Sequence, residues 1–259
     1  MKFLISFILL FVVSSINDLK IHSVIDIKAE QIYSDTFDNV YIISGNQFIK
    51  YNSNGKRTAL YDSRLNEKIS FADVSDPMKI LLFFKDQNVI RFVDNNLSPA
   101  GNEIYPENKS VYGDVSICVS NTGGFWLTDN TSDKLIKFNF SAEREFEKDL
   151  FTLKGNPEFI ISNNKALFIK TDNNDTFVFD NLGNFNFKLN KKIPSDFSVE
   201  GNTMRYFNKK EQIFVSYNIE TEDSSYIKLP ADISVLNAIQ STHYLIFNDS
   251  KKVYFSEIH

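Results

Sequence analysis

Phe48-Ile49-Lys50-Tyr51-Asn52-Ser53-Asn54-Gly55 is an apolar strand that runs into an Asn and a small turn. The phrase returns as Ile90-Arg91-Phe92-Val93-Asp94-Asn95-Asn96-Leu97, Leu135-Ile136-Lys137-Phe138-Asn139, Thr176-Phe177-Val178-Phe179-Asp180-Asn181-Leu182-Gly183 and Phe214-Val215-Ser216-Tyr217-Asn218. A sixth, degenerate copy reads Val253-Tyr254-Phe255-Ser256. The turn residue therefore falls at 52, 94, 139, 180, 218 and 256, with spacings of 42, 45, 41, 38 and 38. An apolar or aromatic residue always precedes it, and Arg91 is the one exception to an apolar residue three places before it. Alternation at a period of two is a strand signal. Asn or Asp suits the turn because its side chain can accept backbone N–H groups and it tolerates positive φ. Only Gly55 and Gly183 occupy the fourth turn position; Leu97, Ala142 and Thr221 take it elsewhere.

A period near forty residues with several short strands in each unit predicts an all-β fold, a single β-propeller. In the first unit the expected strands are 32–36, 40–44, 48–51 and 58–61. The later units cover about 69–105, 115–150, 157–189, 197–229 and 233–258. The last has room for only three strands. His22-Ser23-Val24-Ile25-Asp26-Ile27 precedes the first unit and can supply the missing outer strand. The expectation is thus six four-stranded blades, closed by an N-terminal strand that leaves no open edge.

The third unit reads Asn121-Thr122-Gly123-Gly124-Phe125-Trp126-Leu127-Thr128-Asp129, then the polar turn Asn130-Thr131-Ser132-Asp133, then Lys134-Leu135-Ile136-Lys137-Phe138. It resembles the repeat of six-bladed β-propellers of the NHL-like type: Gly, an aromatic strand ending in Asp, a polar turn, an apolar strand. Asp38-Asn39-Val40-Tyr41-Ile42 is a fainter match, and elsewhere the Gly and the strand-ending Asp are mostly lost. Segment 81–97 also looks like that of uncharacterised propellers exported by bacteria with an outer membrane. The resemblance implies a ring architecture over the chain after residue 15. It implies no single chemistry, because such propellers include scaffolds, ligand binders and a few lyases and hydrolases.

Composition agrees with a globular chain. Of 259 residues, 42% are hydrophobic and 24% charged, with 25 Phe and 11 Tyr but only 9 Gly, where average usage would give roughly 18. One Cys excludes a disulfide framework, and a net charge of −5 argues against a nucleic-acid partner. Met1-Lys2, the apolar run 3–13 and the small residues Val13 and Ser15 have the layout of a cleaved secretory signal. The domain reading is therefore 1–15 signal peptide and 16–259 propeller, with a periplasmic or secreted location. Cys118 alternates with Ser116 and Ser120, opposite Val115, Ile117 and Val119, and reads as a small core residue. Trp126 reads as packing between blades.

Signals for chemistry are sparse. Asp172-Asn173-Asn174-Asp175-Thr176 spaces oxygen ligands like the start of a calcium loop, but Phe177 stands where Gly is needed and Gly183 where Glu is needed. A hairpin turn accounts for it better. His22, His243 and His259 lack zinc-ligand spacing, and His243 is expected exposed at a turn. The acidic residues Asp129, Asp133, Asp172, Asp175, Glu220, Glu222 and Asp223 fall where turns are expected. Segment 143–149 fits a charged outermost strand. Lys191-Lys192, Lys209-Lys210 and Lys251-Lys252 read as loop and edge charges that oppose aggregation.

No catalytic residue, metal ligand or cofactor is assigned from the sequence, and the ligand-binding residues stay unknown at this level. The expected function is a non-enzymatic exported scaffold for protein–protein interaction, in bacterial envelope assembly or secretion. Its expected partner is another envelope or exported protein, with the chain a monomer or a subunit of a larger complex. The alternatives are a small-molecule or glycan binder that uses the central funnel, and a hydrolase or lyase.

Overall fold

The structure, a computed structural model, describes residues 19–63, 67–112 and 114–258. The proposed signal, residues 1–15, lies outside the described residues, as does His259. Strands follow one another as antiparallel meanders. Blade 1 is β2 (Gln31–Ser34), β3 (Val40–Ser44), β4 (Gln47–Tyr51) and β5 (Arg57–Asp62). Blade 2 holds β6 (Phe71–Asp73), β7 (Ile80–Phe84) and β8 (Val89–Val93). Blade 3 is β9 (Val115–Val119), β10 (Phe125–Asp129), β11 (Lys134–Phe138) and β12 (Arg144–Asp149). Blade 4 is β13 (Pro157–Ser162), β14 (Leu167–Thr171), β15 (Thr176–Phe179) and β16 (Phe185–Lys188). Blade 5 is β17 (Phe197–Glu200), β18 (Thr203–Asn208), β19 (Ile213–Asn218) and β20 (Ser224–Lys228). Blade 6 joins β21 (Asn237–Gln240), β22 (Tyr244–Asn248) and β23 (Lys252–Glu257) to β1 (Ile21–Asp26), its outer strand.

In blade 2 the outer position is filled by segment 99–104. It bonds β8 through Ala100 N to Phe92 O (2.8 Å) and a reciprocal Ile90–Ile104 pair (2.9 Å each way). Pro99 has no N–H and Gly101 sits at φ 103°, so the segment follows its neighbour without forming a regular ladder. The only helices among the described residues are two short 3₁₀ turns, Lys85–Gln87 and Pro106–Lys109. None is long and apolar enough to cross a membrane.

The core consists of joints between blades. On β7, Leu81 and Phe83 pack toward blade 3, while Ile80, Leu82 and Phe84 pack toward blade 1. All five are buried, which is why this strand reads as a continuous apolar run rather than an alternation. β9 behaves in the same way. Val115, Ile117 and Val119 join the blade 2 side, whereas Cys118 joins Trp126, Ile160 and Phe177 between blades 3 and 4. Trp126 is 1% exposed and packs edge-on to Phe146 at 5.4 Å, so it fills an inter-blade joint as expected.

The recurring Asn or Asp builds its turn as the sequence predicts. The Oδ1 of Asn52 accepts the amides of Asn54 (3.2 Å) and Lys56 (3.0 Å). Asp94, Asn139 and Asp180 accept the equivalent pairs at 2.8–3.0 Å. Gly55, Leu97, Ala142 and Gly183 then take positive φ at the fourth position. Two turns depart from the phrase. In blade 5 the left-handed residue is Glu222 rather than Thr221, because the loop is one residue longer and Asn218 N reaches Asp223 O. Ser256 lies inside β23 opposite Ile21, because the outer strand arrives from the other end of the chain.

That closing strand pairs Ile25 with Val253 and Val24 with Tyr254. Ile25 is buried against Val253 and Phe255, and Val24 faces outward. The expected charged outer strand is β12, whose Glu147 accepts both Lys134 and Arg144 (2.5 Å each). Arg91, the exception in the repeat, holds three parts of the ring together. Its guanidinium reaches Glu67 (2.5 Å), Tyr61 Oη (3.2 Å) and Glu103 (2.7 Å), and it lies 4.3 Å over the Phe84 ring.

Candidate functional site

The innermost strands frame a central cavity of about 320 Å³. Its walls come from blades 1, 2, 4, 5 and 6, with Arg205 of β18 also reaching it. In front of blade 3, rings from the flanking blades meet instead. Phe71 lies 6.3 Å from Phe159, and the succession continues from Tyr33 to Phe71 (6.1 Å) and from Phe159 to Phe197 (5.2 Å), each pair edge to face. These rings sit on β2, β6, β13 and β17 at positions where an inner strand turns one side chain toward the neighbouring blade at the channel edge. The β9 strand is drawn to its neighbours by Val119 N donating to Asp73 (2.8 Å) and Ser116 Oγ donating to Pro157 O (3.4 Å).

Polar groups of the funnel are mostly satisfied. Tyr33 Oη donates to Gln31 and accepts Ala72 N at 3.1 Å, and burial raises its phenol above the ordinary range. Asp73 accepts Ser75 N at 2.9 Å as well as Val119 N. Burial still raises its carboxyl, outweighing those bonds. Lys170 pairs with Glu158 and Arg205 with Glu200, each at 2.8 Å. Asp196 stands at the start of blade 5, in contact with cavity solvent. Asp196 is exposed to solvent there; partial desolvation at the funnel wall raises its carboxyl, the nearby Lys170 charge opposes the rise and Glu158 adds to it. Among the described residues, no hydrogen bond or ion pair engages the Asp196 carboxylate.

The residues singled out in the sequence lie elsewhere. Asp172–Thr176 is the β14–β15 hairpin, with Asn174 at φ 65° and Asp175 paired with Lys188 at 2.9 Å. His22 lies on β1, 3.2 Å from Glu257. His243 is exposed at the β21–β22 turn, where its Nδ1 is 2.7 Å from Asp38. Lys191 and Lys192 border a side cleft between blades 4 and 5, and they bond Ser224 Oγ (2.7 Å) and Asn173 O (3.0 Å). Cys118 is buried, and burial holds its thiol well above the usual range, with the Asp73 charge adding to the rise. Sequence reading did not identify the funnel set. Its members are scattered singly over five blades and carry no local motif.

The two turn-bearing faces carry uncovered apolar side chains. Phe37 and Met78 are 73% and 69% exposed, on equivalent first turns of the neighbouring blades 1 and 2. The opposite face presents Tyr112 and Phe151 on the connections that enter blades 3 and 4.

Ring closure, meander blades and central funnel together define a six-bladed β-propeller. No protein-family model matches the chain, and no curated protein does. Solved structures do. A streptogramin B lyase is 12% identical with a TM-score of 0.59, over 90% of this chain and 94% of that one. The Pan2 WD40 domain of Neurospora crassa is 8% identical with a TM-score of 0.65, over 93% and 95%. BBS1N, solved in complex with ARL6DN, is 10% identical with a TM-score of 0.51, over 89% and 78%. At these identities the likeness is one of fold.

Proposed function

We propose that the chain is a non-enzymatic, exported propeller of the NHL-like type that serves as a protein-interaction scaffold in the bacterial envelope or its secretion machinery. The observation that carries this reading is the exposure of Phe37 and Met78 on matching turns of adjacent blades. Large apolar side chains at loop tips of a rigid scaffold suit partner docking. BBS1N offers a parallel, since that propeller was solved with a protein partner. A lyase or hydrolase reading receives less support, because neither His22 nor His243 faces the funnel.

Mild crosslinking in the source cell, followed by affinity capture from the envelope fraction, tests the proposal. The wild-type chain, beginning near Ile16, captures a discrete exported partner. The Phe37→Ser/Met78→Ser double variant folds but loses it. Retention of the chain in the cytosol, or equal capture by the double variant, would overturn the reading.

A further inference from the structure

The joint between blades 4 and 5 is open at its outer edge. Val178 and Val215 pack inside it. Their partners on the outer strands, Phe187 and Tyr226, turn the same way but are 44% and 58% exposed. Beside Tyr226 lies a cleft of about 390 Å³, within the range of small-molecule sites. Pro194, Ile213, Val215 and Tyr226 give it apolar walls. The second turns of both blades border it, at the opposite end of the strands from the first turns that carry Phe37 and Met78, so it is separate from that docking surface. Tyr206 lines the cleft and is 4% exposed, yet its hydroxyl has no hydrogen-bond partner among the described residues. It also borders the funnel, but its phenol feels the charge of Glu211, which lines the cleft and not the funnel. An unsatisfied buried hydroxyl is costly, and a ligand oxygen that accepts it recovers that cost. The Lys191 ammonium donates to Ser224 Oγ at 2.7 Å and lies 4.9 Å over the Tyr217 ring, and no carboxylate among the described residues pairs with it. Ser224 pairs with Tyr217, whereas Tyr206 and Tyr226 share the Val215 rung, so the ammonium and the hydroxyl are anchored on rungs about 7 Å apart. Lys192 is 3.7 Å from Asp175, which Lys188 holds at 2.9 Å, so it adds little further charge. Glu211, on the turn beyond Ile213, opposes a second negative charge at that end.

We propose that the cleft binds a small organic monocarboxylate with an apolar body and a second acceptor oxygen. Its carboxylate lies against Lys191, its body against Ile213, Val215 and Tyr226, and its second oxygen accepts the Tyr206 hydroxyl. An ammonium–carboxylate bond is of the stronger, charge-assisted kind. A neutral sugar would leave Lys191 without a counter-charge, and an inorganic anion would leave the apolar walls uncovered.

Calorimetric titration of the full chain with N-acetylphenylalanine tests this, against its neutral amide, 3-phenylpropionate (which lacks the second acceptor) and inorganic phosphate. N-acetylphenylalanine binds saturably, 3-phenylpropionate binds several-fold more weakly, and the amide and phosphate do not bind. Lys191→Met keeps the apolar stem and weakens binding about tenfold, the loss expected for one hydrogen bond to a charged group. Tyr206→Phe removes only the hydroxyl, so it weakens binding several-fold and leaves the thermal unfolding midpoint unchanged or higher. The proposal is overturned if N-acetylphenylalanine does not bind, if its amide or phosphate binds as tightly, or if either variant binds like wild type. Loss of binding in these variants is read separately from loss of partner capture by the Phe37/Met78 variant.

Discussion

Asp38 and His243, on the first turns of the first and last blades, meet at 2.7 Å across the joint where the ring closes. Asp38 Oδ1 also accepts the His243 amide at 3.0 Å, and Thr242 Oγ1 donates to Thr36 O at 2.9 Å. Burial pushes the Asp38 carboxyl up. Hydrogen bonds from the His243 ring and amide and from Ser241, with the His243 charge, outweigh it and hold the carboxyl below its usual value. A group with a depressed folded pKa stabilises the protein above its unfolded pKa. That contribution is lost as the pH falls through the folded value. Asp38→Asn therefore lowers Tm at pH 7 by a few degrees. The gap to wild type starts to narrow below about pH 4, where the unfolded carboxyl takes up its proton, and closes once the pH has passed below the lower folded value. Thermal melts of both proteins across pH 7 to pH 3 check this; a gap that widens toward acid would refute it.

Ala142 and Leu97, the non-glycine residues that take positive φ at the fourth position of the recurring turn, give a contrast decided by magnitude. Ala142, at φ 57°, carries little side chain, so Ala142→Gly relieves left-handed strain and gains about 0.5 kcal/mol. Leu97, at φ 61°, buries its side chain between blades 1 and 2, so Leu97→Gly loses about 2 kcal/mol despite the same relief. Urea denaturation of both variants should show changes of opposite sign. Gly124→Ala is more severe than either, because its Cβ would overlap the Phe138 carbonyl oxygen.

Arg91 is a more demanding test of the joint between blades 1 and 2. Glu67 is only 16% exposed at its side chain, and Arg91→Ala leaves it without its cation. The expected cost is about 3 kcal/mol, since a half-buried ion pair broken from one side leaves an uncompensated charge. Arg91→Ala with Glu67→Ala should recover part of the loss in a double-mutant cycle.

Cys118 tests the inter-blade core. Burial and the nearby Asp73 charge keep its thiol protonated and shielded. A disulfide-exchange reagent should leave it unmodified in the native protein and label it fully in strong denaturant. Rapid native labelling would contradict the packing of blade 3 against blade 4.

Much of this ring is legible in the sequence because each blade repeats one local problem: an apolar strand must stop at a turn that an Asn or Asp side chain can cap. Asn52, Asp94, Asn139 and Asp180 solve it alike, so their spacing exposes the architecture. The pairing of Ile25 with Val253 follows from a missing strand and a spare one. The blade 5 turn was less legible, since one extra residue shifts the left-handed position from Thr221 to Glu222. The charge of Arg91 reads as a break in the pattern until Glu67 and Glu103, on either side of it in the chain, fold against it. The funnel was illegible for a topological reason. Tyr33, Phe71, Phe159 and Asp196 converge only when the ring closes, and each alone looks like an ordinary strand or loop residue.

Closure by the N-terminal strand is the claim on which the faces and the funnel both depend. Asp26 and Lys252 stand opposite each other in that pairing, both outward-facing, with their charges 3.2 Å apart. The decisive measurement is oxidation of the Asp26→Cys/Lys252→Cys variant as a dilute native protein, with Cys118 inaccessible in the core. The account predicts rapid formation of an intramolecular disulfide and a gain of about 2–4 kcal/mol over the reduced form, because the bond closes nearly the whole chain into one loop. Free thiols, or intermolecular dimers alone, would contradict it.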